Sequence, residues 1–175
     1  MLPTPSQTVG PFYGYALPFL RGGEMAPAGH DSDIITVHGH VLDGAGEPVP
    51  DALVEIWQPA PDGSRAGAPG SLRRDGVTFT GFGRVATEPD GRYVFRTLSP
   101  GGVPYFSVCV LARGLLHHLF TRIYLPGPDQ DTDPLLAALD PERRSTLVAE
   151  VAAERAYRFD IRLQGDRETV FLDFQ

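Results

Sequence analysis

Glycine and proline break this chain into short pieces. Twenty glycines and seventeen prolines fall among 175 residues, many in clusters such as "DGAGEP", "QPAPDG" and "LSPGG". Glycine and proline weaken helix interiors and favour turns. A helical bundle does not fit that punctuation, whereas many short strands joined by turns do. The length suits one domain with a genuine core.

The strand signals begin at Ile34. "DIITVHGHVLDGAGEPVP" reads as a strand followed by a Gly/Pro turn. From Leu53 the pattern alternates, with Leu53, Glu55 and Trp57 on one side and Val54 and Ile56 on the other. "GRVATEPDGRYVFRTLSPGG" predicts a hairpin: a strand, an Asp-Gly turn and a second strand. "YFSVCVLA", "HLFTRIYL", "AYRFDIRLQG" and "TVFLDF" predict further strands. One helix is expected over "DPERRSTLVAEVA", with Asp140 as N-cap, Pro141 at the first helical position and Glu142 in the first turn. "DTDPLLAALD" offers another short one. The fold class expected is all-β: an antiparallel β-sandwich with an extended N-terminal arm and one or two short helices.

Residues 1–30 show neither helical nor strand periodicity. Phe12, Tyr13, Tyr15, Leu17, Phe19 and Leu20 are too apolar for a solvated linker. An extended arm that packs on something is expected over 1–30, ahead of a sandwich domain over 31–175.

The formal net charge of −7 argues against a nucleic-acid or anionic-membrane surface. It leaves room for a small anionic substrate held by a few local arginines. No apolar run is long enough to span a bilayer. The start lacks the basic and apolar regions of a signal peptide, so a cytoplasmic protein is expected. Cys109 is the single cysteine, which rules out an internal disulfide. In "FSVCVL" it reads as a buried, inert thiol.

Three groups could carry chemistry. His117 and His118 are neighbours in an apolar run, and in a strand they would point to opposite faces, unsuited to one metal. His38 and His40, two apart in "TVHGHV", share a face and could give two metal ligands or serve the scaffold. Gly39 between them suggests a kink or close packing. Arg113 sits among apolar residues before Gly114. It could pair with a core carboxylate, or line a cleft and bind an anion through its forked guanidinium. No nucleophile elbow, Walker loop or paired-cysteine zinc motif occurs.

"TPSQTVGPFY", "LVEIWQPAPDG", "GFGRVATEPDGRYVFRTLSPG", "LFTRIYL" and "AYRFDIRLQGDRETVFLDF" together resemble the intradiol ring-cleaving dioxygenases. The resemblance runs from about residue 3 to the C-terminus. It is strongest to the alpha chains of those members built from alternating alpha and beta chains. It implies that a beta-chain partner binds Fe(III) through two tyrosines and two histidines. It also implies cleavage of protocatechuate with O2 to 3-carboxy-cis,cis-muconate.

The ligand positions of such a beta chain map here onto Arg65, Val103 and the Tyr105-Phe106-Ser107 segment. A shift of one or two residues brings Tyr105 towards the second tyrosine position, but no His-x-His follows in any register. The resemblance therefore implies no metal ligand and no catalytic residue in this chain alone. It implies substrate-pocket contacts from the arm at Thr8, Gly10 and Pro11, and from Arg113. Phe12 stands where the alpha chains have a tyrosine, which leaves Tyr13 and Tyr15 to supply a hydroxyl. Two rival readings remain: a self-sufficient iron dioxygenase with displaced ligands such as His38 and His40, and a non-enzymatic β-sandwich binding module.

Overall fold

In β1 (Ile34–Leu42) the two-residue period becomes a division between core and outer face. Ile35, Val37, Gly39 and Val41 are buried, while Thr36, His38 and His40 are half-buried on the other side. The structure, a computed structural model, describes residues 4–29, 33–65, 72–127, 130 and 132–174. Two sheets pack into a sandwich. One sheet has the order β4-β1-β8-β7, with β4 Arg92–Leu98, β7 Glu150–Ala153 and β8 Ala156–Arg158; β9 (Ile161–Arg162) also pairs with β1. The other has the order β3-β2-β5-β6, from Phe82–Ala86, Leu53–Trp57, Tyr105–Leu111 and Leu119–Tyr124. Val37, Val54, Ile56, Phe95, Phe106, Val108, Val110 and Ile123 meet between them as the core. The all-β sandwich expected from the sequence is the fold found, with a parallel element: β8 and β9 both run parallel to β1.

The expected hairpin is not one. β3 pairs with β2 and β4 pairs with β1, so the Asp90-Gly91 turn carries the chain from one sheet to the other. The turn itself closes normally, with Gly91 at φ 78° donating to the Glu88 carbonyl. What separates the strands is Thr87. Its hydroxyl bonds the Val49 carbonyl and accepts from the Ala52 amide, and its own amide donates to Ala52. The chain is thereby tied to the start of β2 before it turns.

The helix capped by Asp140 starts as predicted, with Asp140 Oδ1 accepting from the Arg143 amide and Pro141 at N1. It spans only Pro141–Ser145 rather than continuing to Ala152. Beyond it the Tyr124 amide donates to Leu147, the Ala149 amide donates to Tyr124, and Glu150–Ala153 joins the sheet as β7. Tertiary pairing with buried Leu147 and Ala149 overrides local propensity there. The second helix, Pro134–Ala138, is capped by Asp133. The "TVFLDF" segment forms a single bridge, Leu172 to Phe120, rather than a strand.

The arm expected over 1–30 joins the sandwich earlier than that. The Arg96 amide donates to the Gly23 carbonyl, the Met25 amide donates to Arg96, and the Met25 side chain is in the core. The boundary expected at residues 30–31 lies outside the described residues. No helix among the described residues is long and apolar enough to cross a membrane.

Cys109 lies in β5 beside Glu55. Burial pushes its thiol up to about 12, and the Glu55 carboxylate adds to the shift. The native chain should therefore react with Ellman's reagent at pH 8 far more slowly than the urea-unfolded chain. Equal rates would show the thiol to be accessible and ionisable.

Candidate functional site

The outer face of the four-stranded sheet carries the residues of interest, and strand register sets their order. Phe82, Trp57, Ser107 and Arg122 form one cross-strand row; Arg84, Glu55, Cys109 and Phe120 form the next; Leu53 and Leu111 belong to a third. From Leu53 to Trp57 the face extends about 13 Å along the strand. The middle is held by the Arg84–Glu55 ion pair at 2.6 Å, and Arg84 also donates to the Leu17 carbonyl at 3.1 Å.

At the Leu53 end the N-terminal arm docks. Gly10 and Pro11 begin a turn closed by the Tyr13 amide donating to Gly10 at 3.2 Å, and α1 (Tyr13–Ala16) follows. The Tyr13 ring is buried, and its hydroxyl bonds the carbonyls of Asp51 and, at 3.4 Å, Leu111. Burial, with the Asp51 charge, pushes that phenol up to about 12. Thr8 Oγ1 accepts from the Gly114 amide at 2.8 Å, and Ser6 Oγ donates to the Leu116 carbonyl. Arg113 pairs with Asp51 Oδ2 at 2.7 Å, its side chain 55% exposed. Thr8, Gly10, Pro11, Phe12, Tyr13 and Arg113 thus belong to one docked arm and turn. Phe12 and Tyr15 point outward, 76% and 87% exposed. Asp51, which joins Tyr13 to Arg113, gave no sequence signal; it lies in the Pro-rich turn before β2.

Tyr13→Ala should free this arm, because truncating a buried aromatic costs about 3–5 kcal/mol. Limited proteolysis should then cut within residues 4–20 at least about tenfold faster. Tyr15→Ala, at an exposed position, should leave the rate unchanged.

At the Trp57 end lie the positions onto which the resemblance maps the iron ligands of a beta chain. Arg65, Val103, Tyr105 and Ser107 line one depression of about 310 Å3 with Trp57, Gln58 and Pro59. Tyr105 and Ser107 share the outer face, as two ligands of a His-x-His pair would, while Phe106 points into the core. These residues do not fit Fe(III): one phenol stands among a hydroxyl, an aliphatic side chain and a guanidinium, itself a cation. No group of three or more His, Cys, Asp or Glu among the described residues could hold a metal ion.

The histidines fall elsewhere. His38 and His40 share the outer face of the other sheet. His40 Nδ1 lies 3.5 Å from Asp160, and burial, with Arg92 and Arg158 nearby, lowers the His38 pKa. His117 and His118 do not sit in a strand, contrary to the alternation argument. β5 ends at Leu111 and β6 starts at Leu119, so both histidines lie exposed on the turn between, where Gly114 has φ 95°.

A profile described as "Dioxygenase" matches residues 9–112. The chain is 38% identical to the protocatechuate 3,4-dioxygenase alpha chain of Burkholderia cepacia over 97% of this chain and 96% of that one. It is 30% identical to the protocatechuate 3,4-dioxygenase beta chain of the same species, over 85% of this chain and 77% of that one. Among solved structures, the dioxygenase domain of a carbohydrate-binding fusion protein from Streptomyces sp. SirexAA-E superposes with a TM-score of 0.62 at 24% identity. It covers 93% of this chain and 99% of that one, and shows the shared fold. The chain belongs to the intradiol dioxygenase family. Within it, the chain is a homologue of the protocatechuate 3,4-dioxygenase alpha chains.

Proposed function

We propose that this chain is the non-metal alpha subunit of a protocatechuate 3,4-dioxygenase and completes the substrate pocket of an iron-bearing beta subunit. The observation that carries the reading is the exposed Arg113 beside a docked arm that turns Phe12 and Tyr15 outward. The Arg113–Asp51 pair is a surface ion pair, worth about 0–1 kcal/mol, so the guanidinium can pass to a substrate at little cost. A ring carboxylate would accept two parallel N–H bonds from it. The outward aromatic side chains would bury against the partner and exclude water from the pocket. Thr8 would act by pinning the arm to Gly114, and Gly10 and Pro11 by shaping its turn. The Tyr13 hydroxyl already bonds this chain's own backbone, which leaves Tyr15 as the outward-facing phenol.

The reaction would join protocatechuate and O2 into 3-carboxy-cis,cis-muconate, with both oxygen atoms retained. The beta subunit's Fe(III) supplies the oxygen chemistry; this chain's share is to orient the carboxylate and cover the pocket. Co-expression with a protocatechuate 3,4-dioxygenase beta chain should give one complex on size exclusion, with iron stoichiometric to beta chains only. Separate elution of the two chains, or iron bound to this chain, would contradict the proposal.

A further inference from the structure

The Trp57 end of the face opens into a larger cavity of about 820 Å3, lined by Val103, Pro104, Tyr105, Arg122, Pro134 and Leu135 among others. The volume suits a small molecule, and the mix of apolar walls with a few polar groups is typical of ligand sites. The adjoining depression shares Val103 and Tyr105 and adds a second guanidinium, Arg65.

Arg122 is held in place from two sides. Its guanidinium stacks 4.1 Å from the Tyr105 ring centroid, and Nη1 donates to the buried Tyr124 hydroxyl at 2.9 Å. Its charge partner is Asp133, at 3.7 Å from Oδ2, too long for a hydrogen bond. The other oxygen of that carboxylate is engaged by the Leu135 and Leu136 amides and by the Tyr124 hydroxyl. A guanidinium has five N–H donors. Among the described residues, Nη1 alone of the Arg122 nitrogens has an acceptor.

We infer that this cavity binds a small planar monocarboxylate, with the carboxylate on Arg122 and the flat body between Tyr105 and the walls formed by Val103, Pro104, Pro134 and Leu135. A fixed guanidinium with open donors is pre-organised for two parallel bonds to a carboxylate. Asp133 in the same cavity offsets one positive charge, which favours a monoanion over a dianionic phosphate. The inference rests on this chain's own residues and stands whether or not a partner carries iron.

Benzoate and its neutral isostere benzamide are the probes, titrated calorimetrically into the full chain. Benzoate should bind at least about tenfold more tightly than benzamide, the minimum expected of a charge-assisted pair. Arg122→Gln should remove that difference by weakening benzoate alone, and Arg92→Gln, at an exposed position on the other sheet, should leave it intact. Similar affinities for the two probes, no benzoate binding at about 10 mM, or an unchanged benzoate affinity in Arg122→Gln would overturn the inference. If Arg122→Gln fails to fold by circular dichroism, the benzoate-to-benzamide ratio of the unmodified chain decides.

Discussion

Arg113→Ala in the assembled enzyme should lower kcat/KM for protocatechuate by about 10- to 100-fold, while iron content stays unchanged. The range follows from losing hydrogen bonds between a guanidinium and a substrate carboxylate, about 1.5–3 kcal/mol. Stability should move by less than about 1 kcal/mol, because the Asp51 pair lies at the surface. Catechol, which has the diol but no carboxylate, supplies the control: the variant and the unmodified enzyme should turn it over at similar kcat/KM. Arg113→Lys should recover part of the loss, since it keeps the charge and loses the fork. An equal loss with catechol and protocatechuate would assign Arg113 a structural role instead.

Gly39→Ala should strongly destabilise the sandwich. A Cβ at Gly39 would meet the Phe159 carbonyl oxygen at 1.8 Å and its carbon at 2.5 Å, with backbone atoms on both sides unable to give way. The Phe159 amide donates to the His38 carbonyl at 2.8 Å, and the buried Tyr93 hydroxyl donates to the Phe159 carbonyl at 2.5 Å. The chain between β8 and β9 therefore cannot lift from β1 without breaking both. A loss of about 4 kcal/mol or more is expected, at the upper end for single substitutions. In a chain of this size that lowers Tm by roughly 10 °C. Gly10→Ala, where nothing lies within 4 Å of the added carbon, is the control and should change Tm by no more than about 3 °C. A similarly small shift for Gly39→Ala would contradict the close approach.

The strands were legible because their alternation is a local property. Ile34–Leu42 starts where the strand signal began, and Leu53–Trp57 falls where the period-two pattern from Leu53 placed it. Pairing was less so: the Asp-Gly turn reads as a hairpin, yet Thr87 ties its first strand to the other sheet. The helix beyond Ser145 failed for the same kind of reason, since the backbone of 147–149 is recruited by Tyr124. Of the site, the positions that the resemblance assigns to iron ligands, Arg65, Val103, Tyr105 and Ser107, line one depression. The Arg122–Tyr124–Asp133 network was not legible, because it joins a strand to a helix cap through side chains whose meeting no spacing encodes.

The central claim is that this chain completes another subunit's pocket rather than holding iron itself. The most direct test is O2 uptake with protocatechuate, first with the chain alone and then with the chain co-expressed with an iron-bearing beta chain. The account predicts uptake in the mixture only. Uptake by the chain alone, at a rate that follows its own bound iron, would contradict it.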